Sequence, residues 1–91
     1  MGISRYHLII NGRVQGVSYR MSAWEQAQRL GVTGWVKNLP DGRVEMVAEG
    51  NISALRQLLA WSERGPRFAH VTQVELTETE ATGEFLNFDI H

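Results

Sequence analysis

Two stretches with helical periodicity, set among stretches that alternate every second residue, constrain this chain more than any other feature. Apolar residues within Arg20–Leu30, and within the segment that follows Asn51, fall on arcs of about 120° at 100° per residue. Arg5–Asn11, Arg43–Glu49 and Thr72–Thr79 instead alternate apolar and polar side chains, which is typical of half-buried strands. The pattern predicts two amphipathic helices packed on the apolar face of a sheet.

The remaining segments complete a βαββαβ order with a short extra strand. Val32–Leu39 is predicted as the second strand, Pro40–Gly42 as a turn and Phe85–Ile90 as the last strand. Gly50 is expected to end the third strand, and Asn51 to cap the second helix. Two helices on one face of a mostly antiparallel sheet form a ferredoxin-like α+β sandwich. That fold hosts many functions, so the function has to be inferred from a site.

The same periodicities predict which side chains are buried. The inward positions of the strands and helices are Tyr6, Leu8, Ile10, Ala23, Trp24, Ala27, Leu30, Val44, Met46, Ala48, Ile52, Leu55, Leu58, Leu59, Val74, Leu76, Leu86, Phe88 and Ile90. Glu45 and Glu49 alternate with the core positions of the third strand and are expected to face solvent. The acidic residues between Glu75 and Glu84 are interpreted as a solvated strand face and hairpin.

Composition excludes several kinds of site. The chain has 91 residues, and we expect residues 1–91 to form a single domain. It has no cysteine, which excludes disulfides, thiolate metal sites and cysteine nucleophiles. The three histidines lack the spacing of metal ligands, so we expect neither a metal nor a cofactor.

Charge and hydropathy bear on partners and compartment. A net charge of −1 gives no general attraction to nucleic acid or to an anionic membrane. No apolar run approaches the ~20 residues of a membrane-spanning helix, and the first residues lack a secretory apolar region. We therefore expect a cytoplasmic protein with no nucleic-acid or membrane partner, and we also expect a monomer.

The segment between the first strand and the first helix is the main candidate for chemistry. Gly12 and Gly16 permit positive φ angles, so successive main-chain N–H groups can point into one concavity and bind an anion. The helix N-terminus that follows also favours negative charge. Arg20 falls within the apolar arc of that helix, which is best explained if its planar fork faces a bound phosphate. The alternative is an ordinary connection in which Arg20 pairs with a carboxylate.

Asn38 is the second candidate, at the predicted end of the second strand. It shares a strand face with Val32 and Val36 and precedes the turn at residues 40–42. Asparagine is favoured before hairpin turns, so local turn chemistry is one explanation. The other is functional, because an amide both donates and accepts hydrogen bonds and can hold a water molecule. Both explanations stay open on these residues alone.

Two motifs resemble the signatures of the acylphosphatase family. Residues 12–20, GRVQGVSYR, resemble the first signature, and residues 34–45, GWVKNLPDGRVE, resemble the second. The resemblance extends over essentially the whole chain, including its length, the βαββαβ order and the closing strand. It implies a small metal-free enzyme that hydrolyses acyl phosphates to a carboxylate and inorganic phosphate.

The resemblance also implies a role for particular residues. Arg20 matches the arginine that binds phosphate, and Asn38 matches the asparagine that positions the attacking water. Inorganic phosphate is then expected to be both product and inhibitor. The phosphate cradle matches the main chain of Gln15, Gly16, Val17, Ser18 and Tyr19.

Two other functions remain as alternatives. RNA-recognition domains share this fold class and stack bases on aromatic side chains of strands 1 and 3. Here Glu45 and Glu49 lie on that face and the net charge is −1, both of which oppose RNA binding. The second alternative is an acylphosphatase-like delivery domain, as found in larger carbamoyl-transferring maturation proteins. The length of the chain instead leads us to expect a free-standing enzyme.

Overall fold

A single sheet of five strands carries both helices in the computed structural model, which describes residues 3–91. Helical and extended periodicity place the elements close to where the sequence predicts them. In chain order they are β1 (Ile3–Arg13), α1 (Tyr19–Leu30), β2 (Thr33–Asn38), β3 (Val44–Asn51), α2 (Ile52–Arg64), β4 (His70–Glu80) and β5 (Phe88–Ile90). No helix within residues 3–91 is long and apolar enough to cross a membrane.

The strands lie in the order β4-β1-β3-β2-β5. The pairs β1–β3, β1–β4 and β2–β3 are antiparallel, and β2–β5 is parallel, with Val36 opposite Ile90. The predicted ferredoxin-like α+β sandwich is confirmed. Because parallel strands end at the same edge of a sheet, the pair β2–β5 brings the end of the chain beside Asn38, the last residue of β2.

Alternating side chains of the central strands form the core, as predicted. Tyr6, Leu8 and Ile10 of β1 are at most 3% exposed and pack with Leu55 and Leu58 of α2. Both helices and one face of the sheet therefore enclose a single apolar layer.

Four positions predicted as buried are exposed. Trp24 is 37% exposed, because the buried stripe of α1 runs narrowly through Tyr19, Ala23 and Ala27. Leu76 is 42% exposed because β4 is an edge strand. Leu86 and Ile90 are also exposed: Leu86 precedes β5, which begins only at Phe88, and Ile90 lines a cavity described below.

Two glycines lie within the strands of the sheet, and the role of one of them differs from the prediction. The prediction that Gly50 ends β3 is wrong, since β3 continues through it to Asn51. Asn51 does cap α2, because its Oδ1 accepts a hydrogen bond from Ala54 N at 2.8 Å. Gly34 has φ +138°, and a Cβ there would lie 1.9 Å from the carbonyl oxygen of Val47. Only glycine lets β2 and β3 approach this closely.

Glu49 is buried, which contradicts the prediction that it faces solvent. Its carboxylate accepts hydrogen bonds from Arg5 Nε at 2.8 Å, Thr82 N at 2.8 Å and Gly83 N at 3.0 Å. The connection between β4 and β5 thus folds over the open face of the sheet. Burial alone would raise the pKa of Glu49, but these hydrogen bonds lower it overall. The strand periodicity could not show this, because residues distant in sequence cover the side chain.

Glu49→Gln is expected to lower stability at pH 7 by about 1–3 kcal/mol, because the variant loses charge-assisted hydrogen bonds in a buried site. The folded-state pKa lies below the unfolded one. The stabilisation that the ionised Glu49 carboxylate contributes is therefore complete above the unfolded pKa and is lost as the pH falls through the folded pKa. Urea unfolding of the unsubstituted protein and of Glu49→Gln should give free energies of unfolding that differ at pH 7. This difference should become smaller towards pH 3.

Glu78→Gln is the matched control, because Glu78 is exposed on β4. It should change stability little at either pH. A Glu49→Gln gap of equal size at pH 7 and pH 3 would contradict the assigned role of the Glu49 charge.

Candidate active site

One cavity at the edge of the sheet brings Arg20 and Asn38 together. Its volume is about 230 Å³. The loop after β1 and the first turn of α1 form one side, while the ends of β2 and β5 form the other. The residues that line it are Val14, Gly16, Ser18, Tyr19, Arg20, Met21, Asn38 and Ile90.

The loop adopts left-handed backbone at two positions. Gly16 has φ +75° and Ser18 has φ +64°. Within residues 3–91, Ser18 is the only residue other than glycine with a positive φ, a conformation that costs an L-residue about 1–2 kcal/mol. Such backbone turns neighbouring N–H groups towards one concavity and is concentrated at functional sites. Of the predicted cradle, Gly16, Ser18 and Tyr19 line the cavity, whereas Gln15 and Val17 are not among its lining residues.

The N-terminus of α1 follows directly and carries no competing group. Ser18 is the N-cap residue, yet in the described structure its side chain makes no capping hydrogen bond, and the first turn has no acidic residue. The first N–H groups of a helix have no intrahelical acceptor and attract anions. Tyr19, predicted in the loop, is instead the first residue of α1.

Tyr19 fixes this turn to the rest of the molecule. Its hydroxyl donates a hydrogen bond to the carbonyl oxygen of Ser62 at 2.8 Å, and its ring centroid lies 5.1 Å from that of Trp61. Burial raises the pKa of the Tyr19 hydroxyl well above its usual range, so it stays protonated. Tyr19 is 1% exposed, which indicates a positioning role for its side chain.

Arg20 projects from the first turn of α1 into the cavity. Its Nη1 donates a hydrogen bond to the main-chain oxygen of His91 at 2.7 Å. No Asp or Glu of residues 3–91 forms an ion pair with it, so the described side chains offer Arg20 no carboxylate partner. The guanidinium is thus anchored by a main-chain oxygen rather than by an acidic side chain.

Asn38 lines the same cavity, and its side chain contains a buried acceptor. Its Oδ1 is buried and has no hydrogen-bond partner among the described residues. The neighbouring turn is closed without it, by Leu39 N to Arg43 O at 2.8 Å and by Gly42 N to Leu39 O at 3.2 Å. An unsatisfied buried acceptor costs about 1–3 kcal/mol, so its presence calls for an explanation. Local turn chemistry does not supply one.

Gln15 connects the loop to the β2–β3 hairpin through its side chain. Nε2 donates to Leu39 O at 2.8 Å and to Arg43 O at 2.9 Å. The prediction assigned only its main chain to the cradle. The side chain fixes the distance between the two motifs, and its partners were not identifiable because they lie in a different part of the chain.

The sequence reasoning also missed Met21, Ile90 and His91. His91 N donates to Val36 O at 2.9 Å, which extends the parallel pairing that places Ile90 and His91 beside the cavity. The alternation of the last strand was visible in the sequence, but its partner strand was not. Met21 follows Arg20, and its contact with the cavity could have been suspected from that position alone.

The electrostatics of the cavity suit an anion. Among the described residues that line it, Arg20 is the only charged one. Within residues 3–91, no group of three or more His, Cys, Asp or Glu side chains is arranged to hold a metal ion. A guanidinium, a helix N-terminus and one amide oxygen can bind a phosphoryl group and orient a water molecule.

Comparison with known proteins gives consistent matches over the whole chain. The Acylphosphatase family model matches residues 6–90. An acylphosphatase of Methylococcus capsulatus is 53% identical over 88 residues, which is 97% of this chain and 96% of the relative. The crystal structure of an acylphosphatase from Bacillus subtilis has a TM-score of 0.94 at 38% identity, covering 97% of this chain and 98% of that one. An acylphosphatase structure from Coxiella burnetii has a TM-score of 0.93 at 36% identity, covering 99% and 94%.

Proposed function

Because the chain belongs to the acylphosphatase family and hydrolyses acyl phosphates, we propose that Arg20 and the loop main chain bind the phosphoryl group while Asn38 positions the attacking water. Two observations carry this assignment: Asn38 lines one cavity with Arg20, and its buried Oδ1 has no hydrogen-bond partner among residues 3–91. A water molecule bound there would satisfy the acceptor and lie beside the phosphoryl site.

The reaction needs little proton transfer to its leaving group. Water attacks phosphorus, the bond from phosphorus to the acyl oxygen breaks, and a carboxylate leaves with the electron pair. Because a carboxylate is a stable anion, catalysis rests on positioning and on stabilisation of the phosphoryl oxygens. Arg20 and the N–H groups of residues 15–19 supply that stabilisation in this proposal.

Asn38 orients the nucleophile rather than activating it. Its Oδ1 accepts a hydrogen bond from the water. This bond orients the water so that a lone pair of the water oxygen points at phosphorus. In the part of the chain that the structure describes, none of the side chains that line the cavity is a carboxylate or an imidazole. We therefore assign the water proton to an oxygen of the substrate's own phosphoryl group.

We further propose that residues 1–91 act as one monomeric domain without metal or cofactor, in the cytoplasm, with inorganic phosphate as product and inhibitor. The single sheet and the family match over residues 6–90 support the domain assignment. The open face of the sheet does not favour nucleic acid. Its basic side chains lie against carboxylates, Arg5 against Glu49 at 2.8 Å and His7 against Glu45 at 2.6 Å.

Hydrolysis of benzoyl phosphate by the purified protein tests the function. We expect turnover that survives EDTA and dialysis and that inorganic phosphate inhibits competitively. 4-Nitrophenyl phosphate, a phosphate monoester without a carboxylate leaving group, is the matched control substrate and should not be turned over. Loss of activity in EDTA, restored by a divalent ion, would contradict the metal-free mechanism. Noncompetitive inhibition would show that inorganic phosphate binds at a different site from the substrate.

A further inference from the structure

A buried hydroxyl joins the cradle, residues 15–19, to α2. Tyr19 is the last residue of the cradle, and its hydroxyl donates a hydrogen bond to Ser62 O at 2.8 Å. Ser62 lies in the last turn of α2 and is fully buried. A continuing helix would supply this oxygen with the N–H of residue 66, but residue 66 is Pro66, which has no N–H. The Tyr19 hydroxyl therefore replaces the missing helical donor.

The ring of Tyr19 packs closely against the same end of α2. Its centroid lies 5.1 Å from that of Trp61. A Cβ on Gly65, the residue that follows α2, would lie only 3.0 Å from the Cε2 atom of the ring. The hydroxyl and the ring together hold the Tyr19 side chain in place, and this fixes where α1 begins.

Ser18 lies between two anchored segments and takes the strained conformation. Before it, Val14 is buried and Val17 packs against the core, and after it comes the anchored Tyr19. Ser18 itself is exposed, and in the described structure its side chain makes no capping hydrogen bond, yet its φ is +64°. Left-handed backbone lowers the population of an L-residue by about five- to thirtyfold. Contacts of its neighbours therefore have to hold Ser18 in this conformation.

We propose that the Tyr19 hydroxyl holds Ser18 in the left-handed conformation, which makes Tyr19 a positioning residue for anion binding. This inference rests on the proposed function, in which the main chain of residues 15–19 binds the phosphoryl group. If Ser18 relaxes to a negative φ, the neighbouring N–H groups no longer point into one concavity. Only the fraction of molecules that keep the left-handed form then binds an anion, and the apparent dissociation constant rises by the inverse of that fraction.

The inhibition constant of inorganic phosphate in Tyr19→Phe tests the inference. The variant removes only the hydroxyl, so the ring can keep its packing. We expect the inhibition constant and the KM for benzoyl phosphate to rise together by about three- to tenfold, because fewer molecules hold the loop in the binding form. The kcat should change by less than about twofold, since bound substrate restores the left-handed form.

Ser18→Gly in the Tyr19→Phe background separates positioning from a general loss of stability. Glycine adopts a positive φ without a steric penalty, so the double variant should return to within about twofold of the unsubstituted inhibition constant. The stability lost through the unsatisfied Ser62 oxygen should not return. An inhibition constant that stays raised in the double variant would show that the hydroxyl does not act through Ser18, and would overturn the inference.

Tyr6→Phe is the matched control, because Tyr6 is buried on β1 and does not line the cavity. It should leave phosphate inhibition unchanged. Ser18→Gly alone should leave the melting temperature unchanged or raise it, and a decrease would contradict the strain at Ser18. An unchanged inhibition constant in Tyr19→Phe would overturn the inference while leaving the hydrolytic function intact. An unsubstituted protein that neither hydrolyses benzoyl phosphate nor binds inorganic phosphate would instead refute the proposed function itself.

Discussion

Arg20→Ala is expected to lower kcat/KM for acyl phosphates by on the order of 10³–10⁵, the range by which a single arginine stabilises phosphoryl transfer. Within residues 3–91, Arg20 is the only charged residue that lines the cavity, so no other cation of this lining can replace it. Its guanidinium should contact the phosphoryl oxygens both before and during the reaction. Substrate binding and turnover should therefore both suffer.

Arg20→Lys should also be severely impaired, because it keeps the charge but loses the planar fork. Inorganic phosphate gives a second measurement. At ~100 times its dissociation constant it should stabilise the unsubstituted protein by about 2.7 kcal/mol, and both variants should lose most of that increase in a thermal melt.

Arg56→Ala is the matched control, because Arg56 is an exposed arginine on α2 that does not line the cavity. It should retain activity and the full thermal shift. One further effect has to be separated, since Arg20 also bonds to the His91 oxygen next to β5. The melting temperature of Arg20→Ala without phosphate measures how much stability is lost with this hydrogen bond. An active Arg20→Ala, or one with an undiminished phosphate shift, would show that a different residue binds the phosphoryl group.

The order of elements could be predicted because it depends on local periodicity. Alternation identifies β1 and β3, and the spacing of Leu55 and Leu58 identifies α2. Burial at the margins could not be predicted in the same way. Trp24 and Leu76 have the spacing of core residues, but whether they are covered depends on the width of the helix contact and on which strand lies at the edge.

Glu49 shows the opposite error. Its position on β3 alternates with core residues and predicts exposure, yet the connection after β4 covers it and supplies two main-chain donors. That connection is far away in sequence, and no period of two or 3.6 residues carries information about it. Predicting the burial of Glu49 therefore required the tertiary structure.

The candidate site could also be predicted only in part from the sequence. Arg20 and Asn38 could be identified because residue type and motif spacing mark them. Their convergence on one cavity follows from contacts between separate segments, including the Gln15 bridge to the hairpin and the parallel pairing of β2 with β5. Ile90 enters the site only through that pairing, so no local pattern could assign it there.

Asn38→Ala is expected to lower kcat by on the order of 10²–10³ while leaving KM and phosphate inhibition nearly unchanged, since one well-placed polar group in a preorganised site has an effect of this size. We expect kcat to fall without a change in KM because Asn38 is proposed to hold the water rather than the substrate. Steady-state kinetics with benzoyl phosphate and the inhibition constant of inorganic phosphate measure both halves of the prediction.

The melting temperature of the same preparation separates this role from a structural one. If Asn38 only supported the hairpin, Asn38→Ala would unfold at a lower temperature and its folded fraction would keep a near-normal kcat. The structure argues for the reverse, because the turn is closed by main-chain bonds of Leu39 and Gly42, and Asn38 Oδ1 has no partner among the described residues. Removing an unsatisfied acceptor should leave stability unchanged or slightly raised.

Lys37→Ala, at the adjacent position whose side chain is 44% exposed and does not line the cavity, should leave kcat unaffected. A stable, phosphate-binding and inactive Asn38→Ala would thus establish the water-positioning role, whereas an unstable but active one would reduce Asn38 to a turn residue.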